Sequence, residues 1–203
     1  WASNGYLTKN GWTIIKLINQ GCGFIYLSGH GNPNKWATKT SEGEWIGDFN
    51  QFMMLFLINR HKLPVCLVGG CHNSQFDTDL MNLFKNTKDV LYHSTWLPEC
   101  WSWRLTSHPR GGSIATIGST GLCWYGIEYG GGGSDWLNVQ FFREYANNTV
   151  ILGQIWKNVL NCFIDVFPID WDTPSGSVSS IDAKSVQEWV LLGDPTLKIG
   201  GYS

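Results

Sequence analysis

Two stretches decide the fold: Phe24-Ile25-Tyr26-Leu27-Ser28-Gly29-His30-Gly31 and Leu63-Pro64-Val65-Cys66-Leu67-Val68-Gly69-Gly70-Cys71-His72-Asn73. Each opens as an apolar run with the length and the β-branched or aromatic content of a buried parallel strand. Each then reaches glycine, where the backbone can turn sharply, and a reactive side chain. In an open α/β sheet the carboxyl ends of neighbouring parallel strands share one crevice. Two such strands ending at His30 and Cys71 set an imidazole beside a thiol, the pair that a cysteine nucleophile needs.

The 41 positions from His30 to Cys71 leave room for one loop and one crossover helix. Residues 31–47 are polar and contain glycine, which predicts a loop with Trp36 and Trp45 as isolated aromatics. Residues 48–60 carry Phe49, Phe52, Met53, Leu55, Phe56, Leu57 and Ile58 behind Asp48, which predicts a helix with Asp48 as its N-cap. Strand, loop, helix and strand make a crossover unit, so the His30 and Cys71 strands are expected to run parallel.

Outward from this unit, Ile14, Ile15, Leu17 and Ile18 fit one helical face, with Gly21 as the stop. Beyond Cys71, residues 79–84 predict a short helix or lid, 90–93 a short strand, and 96–105 an aromatic, helix-compatible segment. Residues 112–120 read as a third core strand ending in small residues, Ser119 among them. A glycine-rich loop over 121–135 precedes two helices, about 135–145 and 152–163. Residues 170–181 read as a polar loop, and an apolar stretch over 186–192 closes on Gly193-Asp194-Pro195. With no repeat, charge block or interdomain linker, residues 1–203 are expected to form a single domain.

The bulk numbers agree with a globular chain. Of 203 residues, 43% are hydrophobic and only 15% charged, below the usual quarter. Glycine (24) and tryptophan (12) are abundant, which predicts a sticky face, a face covered by a partner, or an extracellular setting. With 14 Lys+Arg against 16 Asp+Glu there is no basic stripe, so nucleic acid is not an expected partner. No apolar run reaches the length of a membrane span. The six cysteines, at 22, 66, 71, 100, 123 and 162, show no C-x-x-C spacing, which argues against a zinc ribbon. The first residue is Trp1 and no signal peptide is visible, so a processed product or a fragment is expected.

Cysteines are usually small buried hydrophobes, and Cys22 and Cys66 read that way. Cys71 differs, since two glycines precede it and a polar run follows, marking a strand-to-loop turn. His30 is the candidate base that raises its thiolate fraction and the acid for the leaving amine. His72 ranks second, because on an extended chain its side chain points away from that of Cys71. The N–H groups of Gly31 and Cys71 are candidates for an oxyanion hole.

An apolar strand ending in Gly-His-Gly, followed by one ending in a small residue and Cys, resembles the clan of caspases, legumains, clostripains and gingipains. Four ordered blocks favour the gingipain family of cysteine peptidases. They are Ser28-Gly29-His30-Gly31 with Trp36, Gly70-Cys71-His72-Asn73 with Phe76, residues 112–120 with Leu122-Cys123-Trp124, and Leu192-Gly193-Asp194-Pro195-Thr196-Leu197. The resemblance implies a three-layer, caspase-haemoglobinase-like α/β fold, its mainly parallel central sheet flanked by helices. It implies peptide-bond hydrolysis through a Cys71–His30 dyad and a thioester, by a secreted or cell-surface, self-processing enzyme. It further implies that Trp124 lines the pocket for the residue before the cut. Ser119 is a further candidate contact there, and Glu128 would select Arg or Lys by a charge-assisted hydrogen bond.

The family's acid that orients the histidine, and the pocket aspartate of its arginine-specific members, lie upstream of the Gly-His-Gly strand on a segment absent here. The N-terminal part of the family fold is therefore expected to be missing, and to associate as a separate segment of the same precursor. No cofactor is required, and calcium as a structural ion is implied by the family alone. Two other classes remain: a non-catalytic caspase-like binding or adhesion module, and a metal site of Cys71, His72 and His30. Asp77 and Asp79 are alternatives for calcium, without EF-hand spacing.

Overall fold

The computed structural model describes residues 10–85, 87–126, 132–177 and 180–201. The first helix, α1 (Gly11–Gln20), is capped by the Asn10 side chain on the Thr13 N–H and stops at Gly21, as the spacing predicts. Next come β1 (Phe24–Ser28), β2 (His30–Gly31), β3 (Lys35–Lys39), β4 (Trp45–Asn50) and a single helical turn, α2 (Gln51–Met54). β5 (Val65–Gly69) leads to a 3₁₀ turn over Leu80–Phe84, then α3 (Thr87–His93), α4 (Trp101–Thr106) and β6 (Ala115–Ser119). The chain continues through α5 (Ser134–Ala146), α6 (Leu152–Val166), α7 (Ile181–Gln187) and β7 (Trp189–Gly193).

The central sheet has the order β1-β5-β6-β7. β1, β5 and β6 are parallel and β7 is antiparallel. Every residue of β5 and β6 is buried, so their near-continuous apolar runs are those of strands covered on both faces. Alternate side chains of β5 feed two cores. Cys66 and Val68 join Ile14, Ile18, Phe49 and Trp101 on the face of α1, α2 and α4. Val65 and Leu67 join Leu137, Phe141, Ile155 and Phe163 on the face of α5 and α6. The result is the expected three-layer sandwich with a mainly parallel sheet.

The segment between β1 and β5 departs from expectation. Residues 31–47 are not a plain loop, because β2, β3 and β4 form a second, antiparallel sheet. Residues 48–60 are not one helix. Asp48 lies inside β4 with φ 41°, and the cap is Asn50, whose side chain accepts the Met53 N–H. A helix there would need its apolar residues on one face, yet Phe52 is 76% exposed beside the fully buried Met54. β1 and β5 are nevertheless parallel. Residues 90–93 are helical rather than extended, with Tyr92 81% exposed. The helix expected over 96–105 begins only at Trp101. Sequence reading also missed α7, and of the apolar stretch over 186–192 the part from Trp189 onward is strand.

Leu67 is fully buried between β1 and β6. Leu67→Ala is expected to cost about 2–5 kcal/mol in urea denaturation, against about 0.5 kcal/mol or less for Leu91→Ala at an exposed helix position.

Candidate functional site

The site forms where β1 and β5 end together. Ser28 pairs with Gly69 at the end of the ladder, and the Gly29 N–H donates to Gly69 O at 2.9 Å. One residue further the two turns touch, since a Cβ on Gly70 would stand 3.1 Å from the Gly31 nitrogen. Only glycine permits that approach. His30 and Cys71 are the next residues on either side of this contact.

Two side chains lock it. Asn73, fully buried, donates through Nδ2 to Asn32 O (2.9 Å) and Lys35 O (3.0 Å), joining the turn after Cys71 to the loop after His30. A Cβ on Gly31 or on Gly70 would collide with the Asn73 amide. The Tyr125 hydroxyl accepts the Gly29 N–H at 3.2 Å and reaches Gly69 O at 3.0 Å, bridging the two strand ends. Burial pushes its pKa up to about 12. Neither residue was singled out from sequence. The signal available was the run of glycines at 29, 31, 69 and 70, which requires something to fill the space they leave.

Cys71 is half-buried and its sulfur turns toward the segment after β6, accepting the Cys123 N–H at 3.4 Å. All six cysteines are free thiols. No acceptor is paired with the Cys71 N–H among the described residues. His30 is exposed and stands edge-on to Trp45, with ring centroids 5.2 Å apart. Among the described residues the ion pairs are Lys35–Asp48 and Arg104–Glu99, and neither involves His30.

His72 follows Cys71 in a left-handed turn (φ 58°) rather than on the extended chain that was expected. Its N–H donates to Gly121 O at 2.7 Å, and its buried Nδ1 has no partner. Burial, and then the neighbouring His93, hold its pKa below the usual range. It lines a cavity of about 600 Å³ with Gly31, Asn32, Gln75, Tyr92 and His93.

Trp124 follows β6, with its carbonyl held by the N–H (2.8 Å) and hydroxyl (2.9 Å) of Ser134. Lys184 Nζ lies 5.9 Å from its ring centre. Ser119 is fully buried and its hydroxyl donates to Gly121 O at 3.3 Å, so it shapes the turn and offers no surface to a ligand. Glu128 lies outside the described residues. A different carboxylate approaches this segment. Glu188 precedes β7 and lies against Gly121, where a Cβ would stand 2.6 Å from Oε2. That oxygen is buried without a hydrogen bond. Burial raises the pKa of Glu188, and Lys184 opposes the shift.

Among the described residues no group of three or more His, Cys, Asp or Glu could hold a metal ion. Cys71, His72 and His30 form no such centre, nor do Asp77 and Asp79. No helix there is long and apolar enough to cross a membrane.

The sequence pattern of peptidase family C25 matches residues 2–200. An uncharacterized protein of Archaeoglobus fulgidus is 28% identical over 145 residues, covering 69% of this chain and 32% of that protein. The crystal structure of the Arg-specific cysteine proteinase gingipain R superposes with TM-score 0.60 at 18% identity, covering 96% of this chain and 37% of that one. The complex of Porphyromonas gingivalis RgpB pro- and mature domains gives TM-score 0.62 at 16% identity with the same coverage. The chain thus spans about a third of the length of each.

Tyr125 sets a pH dependence of stability. Its folded pKa, about 12, lies above the ordinary value of 10.0, so the fold favours the neutral hydroxyl. That contribution is whole below the unfolded pKa and is lost as pH rises toward the folded one. Urea titrations across this alkaline range are expected to show a steeper loss for the wild type than for Tyr125→Phe. Parallel curves would show that the hydroxyl does not clamp the strand ends.

Proposed function

The chain belongs to peptidase family C25, and from that premise we propose that it is a cysteine endopeptidase acting through Cys71 and His30. The observation that carries this reading is the contact of Gly31 with Gly70, which brings a histidine and a cysteine onto adjoining turns at the carboxyl ends of two parallel strands. His30 takes the thiol proton, and the Cys71 thiolate attacks the peptide carbonyl. The Gly31 and Cys71 N–H groups receive the developing oxyanion. His30 returns the proton to the leaving amine, and water then hydrolyses the thioester.

Trp124 borders the site of the residue before the cut, and Glu188 supports a preference for Arg or Lys there. Its buried, unpartnered oxygen is costly unless a donor arrives, and a guanidinium or ammonium supplies one with opposite charge. An acid to orient His30 would come from an associated N-terminal segment of the same precursor. A secreted or cell-surface enzyme, activated by its own cleavage, fits this arrangement. The exposed His30, without a carboxylate partner among the described residues, favours one second reading, a caspase-like binding module. Selective alkylation of Cys71 by iodoacetamide at mildly acidic pH separates the two, since a binding module would show none.

The test is cleavage of fluorogenic peptides that differ only in the residue before the cut: Arg, Lys, Asn, Asp or Leu. Cys71→Ala is expected to lower kcat by on the order of 10⁴–10⁶-fold. Wild-type turnover by that variant, as pure protein, rejects the mechanism. Glu188→Gln is expected to lower kcat/KM for Arg and Lys peptides by about 10–100-fold, mainly through KM, the worth of one charge-assisted hydrogen bond. Equal losses on all five peptides would deny Glu188 a selective role.

A further inference from the structure

A second cavity, of about 400 Å³, opens at the opposite end of the central sheet from Cys71. It lies between the turn that leads into β5 and the turn that leads toward β6. Its charged and polar lining consists of Arg60, His61, His108 and Arg110, beside Leu63 and Pro109. Two guanidinium groups and two imidazoles therefore share one recess without a lining carboxylate, in a chain of formal net charge −2. Like charges gathered at a partly buried place repel unless an anion joins them.

The recess is built rather than incidental. Asn59, only 4% exposed, donates through Nδ2 to Lys62 O (2.8 Å) and Gly112 O (2.9 Å) and accepts the Gly112 N–H (2.8 Å). The Arg60 N–H donates to Arg110 O at 3.1 Å, with Arg60 itself in the left-handed region (φ 43°). These bonds stitch the two turns together. Arg110 is anchored by its Nη2 on Leu55 O at 2.6 Å. His108 is 7% exposed and its Nδ1 accepts the Arg110 N–H at 3.3 Å. The neutral ring then carries its proton on Nε2 and has one donor left. Burial, followed by Arg104 and Arg110, holds the pKa of His108 below the usual range.

We propose that this recess binds a tetrahedral oxyanion, phosphate or sulfate, either free or as an ester. Guanidinium forks match pairs of such oxygens, and the His108 ring supplies a further donor. The volume exceeds what a bare ion fills, which leaves room for the organic part of an ester. The site lies away from the Cys71 crevice and does not depend on the peptidase reading.

Titration calorimetry with sulfate, at constant ionic strength, tests it. Sulfate keeps its charge between about pH 5.5 and about pH 8, the span in which histidine titrates. One saturable site is expected, with the neutral His108 ring donating through Nε2 while its Nδ1 stays engaged by the Arg110 N–H. Arg60→Gln and Arg110→Gln are each expected to weaken binding about tenfold. Because Arg110 also holds Leu55, the exposed Arg60 keeps the test valid if Arg110→Gln fails to fold. His108→Asn is expected to weaken binding through loss of the Nε2 donor, with His61→Asn as the comparison. Glucose 6-phosphate, inorganic phosphate and vesicles containing phosphatidic acid then distinguish a soluble ester, a free ion and a lipid headgroup as sources. No saturable binding of sulfate or phosphate by the folded wild type, or undiminished binding by Arg60→Gln, overturns the site.

Discussion

The site depends on one contact, the approach of Gly31 to Gly70 with the Asn73 amide wedged against both. Hydrogen bonds alone would not hold two loops at this distance. Removing both Cβ atoms lets the backbones meet, and the amide then fills the remaining space while satisfying two carbonyls. The cost is an unpaired buried Oδ1 on Asn73. Such costs persist where the surroundings over-determine a geometry. Here the surroundings are the buried strands β5 and β6 below and the Tyr125 hydroxyl beside.

The parallel strands were legible as compact runs: β5 and β6 carry the mark of burial on both faces, and Phe24 to Ser28, though Tyr26 and Ser28 are exposed, keeps the β-branched and aromatic content of a strand. The hairpin of β3 and β4 was not. Its alternation of buried Ile46 and Phe49 with exposed Trp45 and Asp48 is broken by a register shift between Trp36 and Thr38 and by Gly47. Its apolar content also runs on into residues 51–58, which imitates a helix. Residues 90–93 misled because they form a helix that buries Val90 and exposes Leu91 and Tyr92, where propensity is a weak guide.

The candidate site was partly legible. His30 and Cys71 stand out because glycine flanks them at strand ends. Asn73 and Tyr125 act on backbone groups, and nothing in their own type or spacing announces that. Glu188 was hidden by distance along the chain. It reaches Gly121 only because β7 runs antiparallel, pairing Trp189 with Ser119 at the carboxyl end of β6.

That reversal has an evolutionary consequence. The thiol and imidazole stand on turns locked by glycine and a buried amide, where few substitutions are tolerated. The Glu188 carboxylate beside Gly121 arrives on the amino end of an edge strand, directly after α7. Changes of length or sequence there can shift or replace that carboxylate while β1, β5 and Asn73 stay in place. On the proposed reading, selectivity can drift among descendants of such a chain while Cys71 and His30 are inherited intact.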